Sequence, residues 1–220
     1  SMLKRVAFVA GGWYMWDGAK WADDADGHGS QLIIRDKLRA ISSEMIAQAE
    51  GMGKEGVAML NCARRYQNRG GIESVVSLLK ACVAKDMDAF DRDLMSLNTP
   101  AGLVDLNDGS SRLAEPSDMV SRSTAAAIPA GSFDPLDAPN WTQFLDHLTD
   151  GDTEYRTFLQ RYMGYSLTGH MDEKKFAFVW GSNSNTGKST FVNAVQYALG
   201  DYARAVDVDM FMGGNKGNSD

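Results

Sequence analysis

The stretch Phe176-Ala-Phe-Val-Trp-Gly-Ser-Asn-Ser-Asn-Thr-Gly-Lys-Ser-Thr-Phe191 constrains this chain more than any other. Its first part, Lys175 to Trp180, is short, apolar and aromatic, as a central parallel strand buried on both faces should be. Small polar residues follow, then Gly187-Lys-Ser189. Phe191, Val192, Val195, Ala198 and Leu199 then recur at helical spacing, and Gly200 supplies the stop. Strand, small-residue loop and helix in that order make a phosphate cradle. Backbone N–H groups can approach an anion closely, and the helix N-terminus adds its partial positive charge. The expected binding residues are Gly181, Ser182, Asn183, Ser184, Asn185, Thr186, Gly187, Lys188, Ser189 and Thr190. The amides of 182–187 would surround the β-phosphate, Lys188 would reach the β- and γ-phosphates, and the Ser189 hydroxyl would ligate Mg²⁺. ATP with Mg²⁺ is the cofactor this pattern implies.

The spacing is unusual. A P-loop places four residues between its glycines, whereas Gly181 and Gly187 are separated by five. Either the loop carries one extra residue, or Ser182 takes the first glycine position at a conformational cost.

Upstream, Trp13-Tyr-Met-Trp-Asp-Gly-Ala-Lys-Trp21 predicts a hairpin turning at Asp17-Gly18. Its indoles either pack on the segment downstream or offer a surface for stacking bases, the first being the plainer reading. Helices are expected over 31–49, with Ile34, Leu38, Ile41 and Met45 as the apolar face, and over 72–83, with Ile72, Val75, Val76, Leu79 and Val83. Gly51-Met-Gly53 should end the first of these. Arg64, Arg65 and Arg69 lie ahead of the second, as a solvated helix end or, less simply, a phosphate contact. Two short strands should flank an Asn98–Gly102 turn, and Asn107-Asp-Gly109 marks another hairpin. Residues 110–139 read as a small, polar, Pro-punctuated connector. Asn140 with Gln143 has the pattern of a capping box ahead of Trp141, Phe144, Leu145 and Leu148. Asp152 should cap a further helix carrying Tyr155, Phe158, Leu159 and Tyr162, whose end Gly164 and Gly169 bracket.

Composition excludes some classes. A net charge of −7 argues against a generally basic, nucleic-acid-coating protein. No apolar run approaches the length of a membrane span, and the N-terminus is not signal-like, Ser1-Met2 reading as a short remnant before a native start. Cys62 and Cys82 have no neighbouring ligands and are expected as buried thiols in a reducing compartment. His28, His147 and His170 show no ligand spacing.

The order of the Trp-rich start, Asn98-Thr-Pro-Ala-Gly-Leu-Val-Asp-Leu106, Trp141-Thr-Gln-Phe-Leu145, Gly164-Tyr-Ser-Leu-Thr-Gly169 and Gly181-to-Thr190 resembles the phage and plasmid primase-helicase family. In that family a region similar to the poxvirus primase-helicase N-terminal segment precedes a superfamily III helicase ATPase. The likeness spans nearly all of 13–205, and 164–169 is its most telling piece, because a generic P-loop protein has no need of it. The resemblance implies an ATP-driven replicative DNA helicase that forms a homo-oligomeric ring, a hexamer, acts in the bacterial host cytoplasm without a membrane, and often follows a primase module. The five-residue loop departs from the family's usual spacing and leaves the loop geometry open.

The expected fold is α+β. A mostly helical N-terminal region with small β-hairpins (3–92), a β-hairpin connector (93–139) and a helical collar (140–170) precede the first strand–P-loop–helix of a truncated, AAA+-like α/β ATPase (171–220). A P-loop ATPase also needs an acidic residue on a second strand, a polar sensor and usually an arginine finger. Asp207-Val-Asp209 is a weak match to that acidic strand, and a weaker one to a primase metal pair, so the catalytic set is incomplete. The segment is therefore expected to bind nucleotide weakly and not to hydrolyse it alone. The alternative is a non-catalytic DNA-binding or oligomerisation module.

Overall fold

The structure, a computed structural model, describes residues 4–128, 134–181 and 186–207. The chain forms two compact units, Ser1–Arg92 with Leu113–Ser121, and Asp93–Arg112 with Arg122–Asp220.

In the first unit, strands β1 (Val6–Val9), β2 (Gly12–Trp16) and β3 (Trp21–Asp24) precede helices α1 (His28–Ala49), α2 (Gly53–Arg65) and α3 (Arg69–Cys82), and β4 (Ala84–Lys85) follows. The sheet order is β3-β2-β1-β4, antiparallel except for β4, which runs parallel to β1. The Asp17 turn forms as expected: its carboxylate accepts the amides of Ala19 and Lys20, each at 2.8 Å. Val6, Trp13, Ile34, Leu38 and Val83 make the core, flanked by Ile72, Val75, Val76 and Leu79 from α3. Trp13, Trp16 and Trp21 are all buried, so these indoles pack the unit and leave no face for stacking bases.

Three details differ from expectation. Gly53 opens α2, a helix the glycine cluster concealed. Gly56 lets it approach α1, where a Cβ would collide with the Ala49 carbonyl oxygen. Arg64 and Arg65 therefore end α2, where cations suit the helix dipole, while Arg69 begins α3 and pairs with Glu73 at 2.7 Å. Cys82 is exposed rather than buried. The two helices α1 and α2 are tied by buried Ser42, which donates to the Ala63 carbonyl at 3.0 Å and accepts from Gln67 at 2.9 Å.

Helix α1 begins without a side-chain cap on Gly27. Asp24, at the end of β3, substitutes from a distance by accepting the amides of Gly29 at 3.2 Å and Ser30 at 2.7 Å. Burial opposes ionisation of Asp24, but the Ser30 and Gly29 hydrogen bonds and nearby His28 outweigh it and hold the carboxyl below its ordinary 3.8. Such a cap contributes roughly 0.5–2 kcal/mol. A depressed folded pKa gives stability that is complete above the unfolded value and lost as pH falls through the folded one. Asp24→Ala is thus expected to lower urea stability near neutrality. Its deficit against wild type should shrink as pH drops below the ordinary carboxylate value. A deficit independent of pH would rule out the charged cap.

The returning stretch 113–121 is pinned to this unit by Asp91, whose carboxylate accepts the Ser121 amide at 2.8 Å and its hydroxyl at 2.5 Å. The Trp21 amide and indole donate to the carbonyls of Val120 (2.8 Å) and Pro116 (3.0 Å).

The second unit contains an antiparallel sheet of β5 (Ser96–Thr99), β6 (Gly102–Asp105) and β7 (Ser111–Arg112), then helices α4 (Pro139–Leu148), α5 (Thr153–Leu167) and α6 (Lys188–Leu199). Asp152 caps α5 as expected, accepting the amides of Glu154 (2.9 Å) and Tyr155 (3.0 Å). Asn140 does not cap α4. Pro139 takes the first helical position, which suits its fixed φ and missing donor, and Ala138 precedes it without a side-chain bond. Helix α5 runs through Gly164, so Gly169 alone marks its exit. The Gly169 amide donates to the Leu94 carbonyl at 2.8 Å.

The strand expected at Lys175–Trp180 does not form. These residues pair with no described strand, and Phe176, Phe178 and Trp180 are at least three-quarters exposed. An apolar run becomes a central strand only when neighbours satisfy its backbone on both edges. None of the described residues supplies one. Tyr162 holds the segment against α5 instead, its hydroxyl accepting the Ala177 amide at 3.0 Å.

Candidate functional site

Gly187 opens the helix that carries the predicted phosphate residues. It adopts φ +82, a left-handed conformation that favours glycine. A Cβ there would also lie 3.0 Å from Phe144 Cε2 and 3.4 Å from Leu148 Cδ1, so α4 leaves no room for a side chain. The first hydrogen bond within α6 runs from the Phe191 amide to the Gly187 carbonyl at 2.9 Å. The Ser189 and Thr190 amides precede it and have no acceptor inside the helix. Both side chains are exposed.

Lys188 turns back over the loop. Its Nζ donates to Thr186 Oγ1 at 2.6 Å, and a Cβ on Gly181 would lie 2.8 Å from that Nζ and 3.2 Å from the Thr186 hydroxyl. Gly181, Thr186 and Lys188 therefore converge on one small volume beside the N-terminus of α6, with Ser189 and Thr190 in the adjoining turn. Ser182, Asn183, Ser184 and Asn185 lie outside the described residues, as do Val208 and Asp209. An ammonium group, helix-start amides and two hydroxyls within one turn can hold an anion of the phosphate type. For Mg²⁺, the Ser189 hydroxyl in the first turn of α6 is an oxygen ligand of the hard type this ion takes.

Sequence reasoning missed what holds this helix in place. At its N-terminal end, Trp141 stacks on Phe191 (centroids 6.1 Å apart, planes 9° apart) and on Phe144 (5.3 Å, 28°). At its C-terminal end, the Ala198 carbonyl accepts the amides of Ala125 (3.1 Å) and Ala126 (3.3 Å). The apolar stripe of 141–148 is visible in the sequence, but its partner about fifty residues away is not.

A separate cavity of about 480 Å³ lies in the first unit, lined by Lys4, Lys85, Trp21, Val83, Glu115 and Met119 among others. None of the predicted site residues reaches it. Lys4, Lys85 and Glu115 are its charged lining residues, and the Glu115 side chain is engaged in capping the short helical turn at Pro116–Asp118.

The family model described as D5 N terminal like matches residues 4–150. The chain belongs to the D5 N-terminal-like family. That family is the N-terminal domain of D5-like primase-helicases, which places this D5 N-terminal-like chain in the context of DNA replication. The matched span takes in every described residue of the first unit, the β5–β7 sheet and α4, and stops ahead of α5 and the Gly181–Thr190 loop. No curated protein matches the chain. No helix among the described residues is long and apolar enough to cross a membrane.

Proposed function

We propose that this D5 N-terminal-like chain belongs to an ATP-dependent replicative DNA helicase of the phage or plasmid primase-helicase type, and that residues 181–190 bind the nucleotide phosphates. The convergence of Gly181, Thr186 and Lys188 at the start of α6 carries the reading. On it, Lys188 neutralises the β- and γ-phosphates, the 182–187 amides surround the β-phosphate, and Ser189 ligates Mg²⁺. ATP, when bound, supplies the phosphoanhydride whose cleavage drives unwinding. Nucleotide binding is the property these residues support, while turnover also needs the acidic, sensor and arginine groups of a complete P-loop ATPase. In the working protein, DNA is the partner, a homo-hexameric ring the assembly, and the bacterial host cytoplasm the place of action.

Titration of a non-hydrolysable ATP analogue with Mg²⁺ into wild type and Lys188→Ala tests this. Weak saturable binding is expected, reduced at least about tenfold by the substitution, since charge-assisted contacts to phosphate contribute about 1.5–3 kcal/mol. Equal affinity for both proteins would sink the assignment.

A second reading, a non-catalytic DNA-binding module, is favoured by the Lys4 and Lys85 ammonium groups at the cavity of the first unit. Single-stranded DNA binding that Lys4→Ala with Lys85→Ala removes, and Lys188→Ala leaves intact, would support it.

A further inference from the structure

We infer that Asn98 and Tyr202 are positioning residues for the phosphate site, acting through the far end of α6; this rests on the nucleotide-binding reading above. Helix α6 has twelve residues, roughly 18 Å of nearly rigid rod. Its first turn carries Lys188 and Ser189, and its last turn is locked to a segment that neither the helix nor the loop predicts. Besides the two amides bound by the Ala198 carbonyl, the Asp201 amide donates to the Ser123 carbonyl at 3.0 Å. The Asp201 carboxylate accepts the Ser123 amide, also at 3.0 Å. Gly200 makes this possible. It sits at φ +55, and a Cβ would lie 2.6 Å from the Ala125 nitrogen and 2.8 Å from the Ser123 oxygen, both backbone atoms that cannot step aside.

Segment 122–126 is in turn held by Asn98, which is fully buried. The Asn98 side-chain amide donates to the Arg122 carbonyl at 3.0 Å, and its backbone carbonyl accepts the Thr124 amide at 2.9 Å. Its backbone amide donates to the Tyr202 hydroxyl at 3.1 Å, just beyond α6. One residue of β5 therefore grips both the segment that clamps the helix and the chain leaving the helix. The hairpin is itself stiff: Thr99 Oγ1 donates to the Gly102 carbonyl at 2.8 Å and accepts the Ala101 amide at 3.2 Å, closing the Pro100-Ala101 turn. Leu97, Leu103 and Val104 bury the sheet. Chemistry explains the residue types. A leucine at 98 would leave the Arg122 carbonyl without its donor, and an aspartate would add a buried charge.

A phosphate site built on helix-start amides and one lysine depends on where the helix lies along and around its axis. Loosening the far end lets the rod slide and rotate, which weakens the site without touching it.

The test measures affinity for a non-hydrolysable ATP analogue with Mg²⁺, and amide hydrogen exchange along α6, in Tyr202→Phe and Gly200→Ala. Tyr202→Phe removes one hydroxyl and keeps the ring, so it folds; Asn98→Ala is the stronger variant. Roughly three- to tenfold weaker binding is expected for Tyr202→Phe, the weight of one hydrogen bond, and more for Gly200→Ala. Exchange in the last turn of α6 should speed up in both without ligand. Val104→Ala, in the same sheet but outside these hydrogen bonds, separates general loss of stability from positioning. At a similar fall in Tm it should bind within about twofold of wild type. Unchanged affinity and exchange in Tyr202→Phe and Gly200→Ala, with binding still lost in Lys188→Ala, would overturn the latch and spare the phosphate site. A wild-type chain without saturable binding would overturn the phosphate site, and the latch with it.

Discussion

Phe191→Ala is expected to destabilise the second unit by about 3–5 kcal/mol, the range for deleting a buried aromatic ring. Among the described residues Phe191 is one of the few buried apolar side chains of that unit, at 7 % exposure, and its ring lies nearly parallel to that of Trp141. Truncation removes a ring from a three-ring stack and leaves a void that α4 and α6 cannot both collapse into, because Phe144 is already against Gly187. The stacked geometry adds about 0.5–1.5 kcal/mol beyond the area lost. Urea unfolding followed by tryptophan emission reads the effect, since Trp141 reports on its own environment. Phe191→Leu should recover most of the stability. A loss below about 1 kcal/mol for the alanine variant would mean that the stack does not hold the helix. Phe191 also lies within one turn of Lys188, so nucleotide affinity should fall together with stability, whereas Lys188→Ala should lower affinity alone.

That contrast marks which parts of the site the sequence discloses. Lys188, Thr186 and Gly187 stand together in the chain, and the periodicity after them announces α6 and its stop at Gly200. The fixtures behind them are separated by distances no local pattern records. Asn98 meets Tyr202 across 104 residues. Local spacing reports which face of a helix is apolar, as for Ile34 and Leu38 in α1 or Val75 and Val76 in α3, but not what that face meets. Polar latches are less legible still, because a buried asparagine and an exposed one look alike until the acceptor is known. The same limit hid Asp24, which caps α1 from the preceding strand rather than from the helix start. Helix α2 escaped for the opposite reason: glycines that usually end helices here allow one helix to begin close against another. The membership in the D5 N-terminal-like family rests on residues 4–150, so it bears on the sheets and α1–α4 and is silent on the loop.

The largest effect in the first unit is expected for Trp13→Ala. Trp13 is 5 % exposed and sits at the start of β2, where its ring meets Phe8 edge-on at 5.2 Å and packs with Val6, Ile34, Leu38 and Val83. It joins the sheet to α1, and the chain is shaped around it. Gly27, left-handed at φ +66, lies so close that a Cβ would come within 2.8 Å of Trp13 Cδ1. The backbone entering α1 therefore rests directly on the indole. Deleting it removes a large buried area and the surface that seats the helix start, for a loss of about 3–5 kcal/mol. Trp13→Phe keeps a ring, and should lose roughly half as much. Hydrogen exchange decides the matter: amides of α1 and α3 should exchange roughly 10²–10⁴ times faster in Trp13→Ala at equal pH, the rate equivalent of that loss. If those amides keep their protection, the core of this unit is held by the three helices alone, and the Trp-rich hairpin is an attachment to it.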